Sequence, residues 1–500
     1  MSRSALFAEL RRAFQLATAA RQPAAPPLDE LIQLPRRRVL TLGLAAAAIA
    51  PLPRLALGRQ DTRIAIIGAG LAGLAAAHHL LKAGATAVTI YEANTRIGGR
   101  MFSLRETLGP GVIAELGGSF INSDHADVLA LCRDLRLTLE DGAAGGSGPS
   151  ATYFIAGRHR TIQEIATEAT GLLTQLQTLR DPSPETKART DQRSAAEWLD
   201  RFGCTGWLRT LLDIGLTQEM GLEPDRMSGL YLSESFAPDP GQANRGLFSS
   251  DERYQVAGGN DRLPAALAAK LEGRIRRGHR LEALRTRGSS MVLNVAAPGG
   301  STEITADIVI LAIPATILRG VDLRLDIPPL TRRAIRELTY GTNAKLLAGL
   351  TGRPWRAQDM TGESLNDLGV QTTWEDHPRE GTAPASLTIF AGGRTGVGFG
   401  TGRATDRAAD ALRRMNAAFP GMAAAFNGRA SAMHWPSNPY VRGSYSCFAP
   451  RQMTDFSAAF APVGQVILAG EHTSKTSSGY MNGAAESGRL AAEAAGRLLA

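Results

Sequence analysis

Cysteine is scarce. Cys132, Cys204 and Cys447 are the only three in 500 residues, odd in number and far apart. Without a CxxC pair there is no zinc-type ligand set and no disulfide framework, so free thiols are expected. No metal motif and no tandem repeat is present. His78 and His79 lie mid-helix and His472 follows Glu471, with no nucleophile–base–acid arrangement around any of them. None is assigned a catalytic role. Long apolar runs are also missing. The run Leu42–Ala50 is far short of the roughly 20 residues that span a bilayer, so no stable transmembrane segment is expected. A basic surface is missing from most of the chain, despite a net charge of +8. Residues 1–59 hold nine Arg against Glu9, Asp29 and Glu30, a balance of +6, leaving 8 − 6 = +2 for the rest. That excludes a polyanion footprint, and no nucleic-acid partner is expected.

What remains is ordinary globular material, 44% hydrophobic and 20% charged, long enough for two to four domains. The N-terminus reads as an address. Residues 22–35 are rich in Pro and Ala, and Arg36-Arg37-Arg38-Val39-Leu40 precedes the short apolar run. This layout resembles a twin-arginine export signal, whose cargo folds before export. Residues 1–59 are therefore expected to be signal and leader, recognised by the twin-arginine translocation machinery. The expected location is periplasmic or secreted, and otherwise cytoplasmic.

Arg63 to Ile67 reads as a buried strand. It leads into Gly68-Ala69-Gly70-Leu71-Ala72-Gly73, and an Ala/Leu-rich helix to Lys82 follows, stopped by Gly84. Ala87 to Tyr91 reads as the next strand, with Glu92 at its end. Each part suits a dinucleotide. Gly68 permits the tight turn, Gly70 clears the approach to a pyrophosphate, and Gly73 lets the helix pack on the strand. The helix N-terminus faces the phosphates. Glu92 stands where a carboxylate accepts from ribose hydroxyls, and it would repel a 2′-phosphate. Gly68, Gly70, Ala72, Gly73 and Glu92 are thus candidate cofactor residues.

Gly98-Gly99-Arg100 just after the acid separates FAD from NAD. Here the chain resembles the flavin amine oxidase family, in which a Gly pair and Arg after the ribose acid mark FAD. The likeness recurs at Glu115-Leu116-Gly117-Gly118-Ser119, at Gly258-Gly259 with Leu263-Pro264, at Asp307 to Pro314, and at Gly470-Glu471 with Ser478-Gly479-Tyr480-Met481. It covers roughly residues 62–498. It implies an α/β fold: a Rossmann-like, glutathione-reductase-like FAD-binding domain built from discontinuous segments, with a second α+β substrate domain. The expected division is 60–125, 245–325 and 436–500 for FAD, and 126–244 and 326–435 for substrate. Asp200 to Met220 reads as helical, with Trp198 and Trp207 in the core.

The resemblance also implies roles. Gly99, Arg100, Gly117, Gly118, Ser119, Gly470, Glu471 and Met481 would contact FAD, with Leu281 an apolar contact for the adenine. The final helix would stabilise negative charge on the reduced flavin. Tyr445 and Tyr480 match the paired aromatic positions facing the flavin, where a dry slot favours the neutral, reactive amine. Lys345 matches the lysine near flavin N5, usually bridged by water. These three are the catalytic candidates. Ser444 replaces the Cys that tethers FAD in animal monoamine oxidases, so non-covalent FAD is expected. Phe120 stands where L-amino-acid oxidases place an Arg for the substrate carboxylate, so an amine without an α-carboxylate is favoured.

The expected activity is oxidative deamination of a primary or secondary amine. Hydride passes to flavin N5, O2 is reduced to H2O2, and the imine hydrolyses to an aldehyde. Three rival readings stay open: an L-amino-acid oxidase, a flavin-dependent desaturase, and a catalytically silent flavin-binding protein. A homodimer is one allowed assembly.

Overall fold

The computed structural model describes residues 13–14, 16–17, 62–142, 150–179, 183–236, 251–377 and 384–499. The Arg36–Arg38 cluster and the apolar run after it lie outside these residues. Five parallel strands form the first sheet, in the order Val466–Leu468, Ile308–Leu311, Ile64–Ile67, Val88–Glu92 and Ile275–Arg277. Ile64–Ile67 and Ile308–Leu311 are buried at every position, as a strand covered on both faces must be. Alternation sorts their side chains. Ile64, Ile66, Ile308 and Ile310 pack on the helices Leu71–Lys82 and Met481–Leu499. Ala65, Ile67, Val309 and Leu311 pack on the opposite face, against a four-stranded sheet.

Small residues bring the two helices together. A Cβ on Gly488 would overlap the Ala72 carbonyl and stand 2.8 Å from the Ala75 methyl. The first and last helices of the cofactor layer therefore lie against each other, and both begin at the same edge of the parallel sheet, beyond its strand ends.

A mixed seven-stranded sheet forms the second body. Its order is Phe426–His434, Ala344–Leu350, Ala385–Ala391, Gln371–Trp374, Met360–Asn366, Ser150–Ile155 and Arg158–Arg160. In the strand Ala344–Leu350, the residues Leu346, Ala348 and Leu350 enter a core covered by the helix Ala404–Met415. Lys345 and Leu347 face the other way, and Leu347 meets Leu108, Val112, Ala114 and Leu116. The period of two thus delivers Lys345 to the side where the two bodies meet.

Helices cover the far end of this sheet. Ile162–Gln177 and Ala195–Arg201 each start with a capping box, Thr161 with Glu164 and Ser194 with Glu197. The continuous helix expected from Asp200 to Met220 is broken. One helix ends at Arg201, Gly203 takes φ +66°, and a second runs Gly206–Met220. Trp198 is core; Trp207 is only partly buried against it. The N-terminal segment, read as an address, supplies Ala13, Phe14 and Ala17 to this helical core. Phe14 is fully buried, its ring centroid 4.9 Å from that of Phe236. Among the described residues no helix is long and apolar enough to cross a membrane, and no group of three His, Cys, Asp or Glu is placed to hold a metal. All three cysteines are free and buried.

Candidate active site

The turn after Ile64–Ile67 is built by two different demands. Gly68 has φ +105°, and a Cβ there would sit 2.6 Å from the Ala312 carbonyl. A Cβ on Gly73 would overlap Gly68 O. Packing alone requires both glycines. Gly70 is not required by packing. Its φ of −73° and ψ of 177° suit any residue, and a Cβ would meet only the Gly99 Cα, at 3.9 Å. The space before it is the cleft itself, and the helix from Leu71 opens onto that space without a side-chain cap. Its first N–H groups are free for an anion. Gly70→Ala is therefore expected to leave apo stability within about 0.5 kcal/mol. Its affinity for FAD should fall by about tenfold or more, because backbone approach is blocked. Flavin titration of the apoprotein checks this, and unchanged affinity would remove Gly70 from the phosphate seat.

Glu92 is pinned at the end of its strand. Its Oε2 accepts from the Ala69 N–H at 2.7 Å and its Oε1 from the Asn94 N–H at 2.8 Å. Burial raises its pKa above the usual carboxylate range, and these two bonds only partly offset that. At the other end of the cleft, Arg100 Nη1 donates to Glu471 Oε1 at 2.9 Å and to Ser444 O at 2.8 Å. Glu471 also accepts from the backbone N–H groups of Ser446 and Gly479, at 3.1 and 2.8 Å, and from Ser446 Oγ at 2.7 Å. Burial would push this carboxyl up, but Arg100 leads the groups that hold it below its ordinary range. Burial pushes the neighbouring His472 down to about 4, so it is neutral, and its buried Nδ1 has no partner.

These ends share one cleft of about 1280 Å3, part of it open to solvent. Gly68, Gly70, Ala72, Glu92, Gly99, Arg100, Gly118, Leu281, Gly470, Glu471, Tyr480 and Met481 line it. Gly73 and Gly117 stand behind the wall as close-packing positions, a Cβ on Gly117 overlapping the Arg100 carbonyl. Sequence reasoning missed Asn94, Arg96, His279, Arg280 and the stretch Asn438–Val441, all of which line the cleft. His279 and Arg280 immediately precede Leu281, which was the available signal. The stretch from Asn438 carries no glycine or charge pattern that marks a cofactor.

Lys345, Ser119 and Tyr445 lie one layer behind the cleft wall. Lys345 is fully buried. Its Nζ donates to Glu115 O at 2.9 Å, Gly117 O at 2.7 Å and Ser119 Oγ at 2.5 Å, and stands 5.1 Å from the Trp374 ring centroid. Burial lowers its pKa. The Tyr445 hydroxyl donates to the carbonyl of Glu219, and its ring joins Trp374 and Phe390 in an apolar cluster with Phe120 against it. Tyr480 reaches the cleft, its ring centroid 5.0 Å from that of His125. A hydrogen bond between Ser446 Oγ and Ser478 Oγ, 2.8 Å, sets the two tyrosine-bearing loops side by side.

A glycine-walled cleft with a pinned carboxylate at one end, a buried Arg–Glu pair at the other and an orphaned imidazole nitrogen fits a flavin dinucleotide. The pattern of the flavin-containing amine oxidoreductases matches residues 71–495. The chain belongs to that family. Its members and relatives are oxidases acting on amine groups, and the family implies a flavin cofactor. The L-amino-acid oxidase of Mus musculus is 27% identical over 477 residues, 91% of this chain and 72% of the relative. Among solved structures, cyclohexylamine oxidase from Brevibacterium oxydans IH-35A is 24% identical with a TM-score of 0.76, covering 87% of this chain and 99% of its own. Putrescine oxidase bound to putrescine is 20% identical with a TM-score of 0.75, covering 87% and 98%. These structures share the α/β fold expected for this flavin amine oxidase, a Rossmann-like FAD part joined to a substrate part.

Proposed function

We propose that this enzyme oxidises a primary or secondary amine lacking an α-carboxylate, using non-covalent FAD, to the imine and thence the aldehyde. When bound, the flavin supplies the redox chemistry, taking hydride from the amine α-carbon and returning the electrons to O2 as H2O2. The protein's part is to hold, orient and desolvate. Glu92 and the turn at Gly70 hold the ribose and pyrophosphate, and Arg100 and Glu471 fix the flavin end. The observation carrying the substrate reading is the buried aromatic cluster of Trp374, Phe390 and Tyr445, with Phe120 against it, one layer behind the cleft that Tyr480 lines. Lys345 is the cation over its Trp374 ring, at 5.1 Å, and its three donors are all engaged. A carboxylate there would be buried without a partner, which costs several kcal/mol. An amine fits instead: ring faces hold its cation, and the dry slot favours the neutral form that can lose hydride. Tyr445 and Tyr480 are the proposed aromatic pair. Lys345 fixes the 115–119 loop beside them.

Peroxide release across mono-, di- and polyamines and neutral amino acids tests this reading. Turnover of amino acids but not of simple amines would overturn it in favour of an L-amino-acid oxidase.

Non-covalent flavin is supported by Ser444, whose hydroxyl donates to Asn343 Oδ1 at 2.6 Å. The nearby Cys447 is buried in the helical core, away from the cleft. Acid precipitation is expected to leave all flavin in the supernatant. Yellow pellet protein would contradict it.

A further inference from the structure

His377 lies three residues after the strand Gln371–Trp374, and it is buried with φ +46°. An imidazole held in a left-handed backbone conformation needs strong partners. It has two. Its Nδ1 is 2.7 Å from Glu140 Oε2 and its Nε2 3.3 Å from Glu115 Oε1. Both ring nitrogens face carboxylates, so only the imidazolium donates to both. Its backbone N–H donates to Gln255 Oε1 at 3.3 Å.

Glu115 connects this imidazole to Lys345. Its buried carboxylate also accepts from Ser103 Oγ at 2.7 Å and from the Asn260 N–H at 2.8 Å. Its backbone N–H donates to Asp376 Oδ2 at 3.1 Å, and its carbonyl receives Lys345 Nζ. Asp376 itself accepts from Trp374 Nε1 and Thr388 Oγ1, each at 2.7 Å. From the other side, Asn260 Nδ2 holds the carbonyls of Gly118 and Ser119, at 2.9 and 2.6 Å. The loop 115–119 is thus clamped from both bodies, and its Gly118 lines the cofactor cleft.

We propose that His377 is a positioning residue: as a cation between Glu115 and Glu140 it fixes the 115–119 loop, and with it Lys345, against the flavin. The inference rests on the flavin amine oxidase reading, and it predicts a pH-dependent site. Burial lowers the His377 pKa, but the bonds to Glu115 and Glu140 outweigh that and raise it to about 8. The charged groups facing His377 are Glu115 and Glu140, with Asp376 beside it. Those facing Lys345 are Asp376, Glu115 and Glu252. Loss of the His377 proton leaves Glu115 beside Asp376, with Lys345 and Arg105 as the cations nearby.

The test is a pH titration of the visible circular dichroism of the resting holoenzyme, with no amine present. The wild type should show a step near pH 8. In His377→Gln, which keeps one donor but cannot titrate, the step should vanish. At neutral pH the same variant should reduce its flavin about tenfold more slowly, from misplacement short of an ångström. Glu140→Gln, changed at a half-exposed partner, should move the midpoint down by about one pH unit. A step unchanged in His377→Gln would assign it to Lys345 or to Glu115, whose carboxyl burial pushes above its ordinary range, and overturn the proposal. If that variant holds no flavin, an unmoved midpoint in Glu140→Gln overturns it equally. A holoenzyme that shows the step but oxidises no amine would sink the amine reading alone.

Discussion

Lys345→Met should keep its flavin and lose about 100-fold in turnover, what a misplacement of about 1 Å in the loop it fixes can cost. The methionine is close in length and removes only the ammonium. That ammonium makes three hydrogen bonds, to the carbonyls of Glu115 and Gly117 and the hydroxyl of Ser119. All three acceptors would be left buried without a donor, at about 1–3 kcal/mol each before relaxation. Burial already disfavours the charged lysine, so removing it returns part of that cost. The net loss of stability is therefore modest, and the loop moves instead. Anaerobic flavin reduction and reoxidation by O2, followed separately, report which half-reaction depends on the lysine. If both rates match the wild type, Lys345 has no part in the chemistry.

Glu471→Ala should be more damaging to the fold. It leaves Arg100, which is 17% exposed, facing an empty site beside the carbonyl of Ser444. It also strips the acceptor from the N–H groups of Ser446 and Gly479. Stranding a fully buried charge costs about 3–5 kcal/mol, and stranding the half-buried Arg100 costs less; flavin should be lost with it, since Arg100 and Glu471 both line the cleft. The pH dependence has a definite sign. The folded carboxyl sits below its ordinary value, so Glu471 adds stability above the unfolded pKa of about 4.5 and loses it as pH falls through the folded value. Wild type and variant should therefore differ most near neutral pH and converge in acid. Denaturation profiles at several pH values measure this, and a constant gap would contradict it.

Some of this was legible from residue patterns and some could not be. Ile64–Ile67 and Val466–Leu468 were readable because a strand buried on both faces is a plain apolar run, and Val88–Glu92 because its buried residues alternate with half-buried ones. The glycine turn was readable because each glycine answers a separate steric demand. The break near Gly203 was read through, although Gly203 and Gly206, both at φ +66°, supply its signal. The clamp on the 115–119 loop was invisible for a different reason. His377 meets Glu140 and Glu115 across 237 and 262 residues, and no periodicity spans such a distance. Lys345 was found only by family likeness, and its three hydrogen bonds depend on strand alternation plus the docking of two bodies.

The N-terminal residues carry a different lesson. Phe14 lies against Phe236 in the helical core, 50 positions before Ile64 opens the first cofactor strand. Burying a phenylalanine is worth about 1.5–3 kcal/mol. Any cut between Ala17 and Thr62 would therefore divide a finished core rather than trim a tail. A clipped enzyme would either carry its own N-terminal peptide as a tightly held second chain, or present Phe236 and its neighbours to water as a new sticky face.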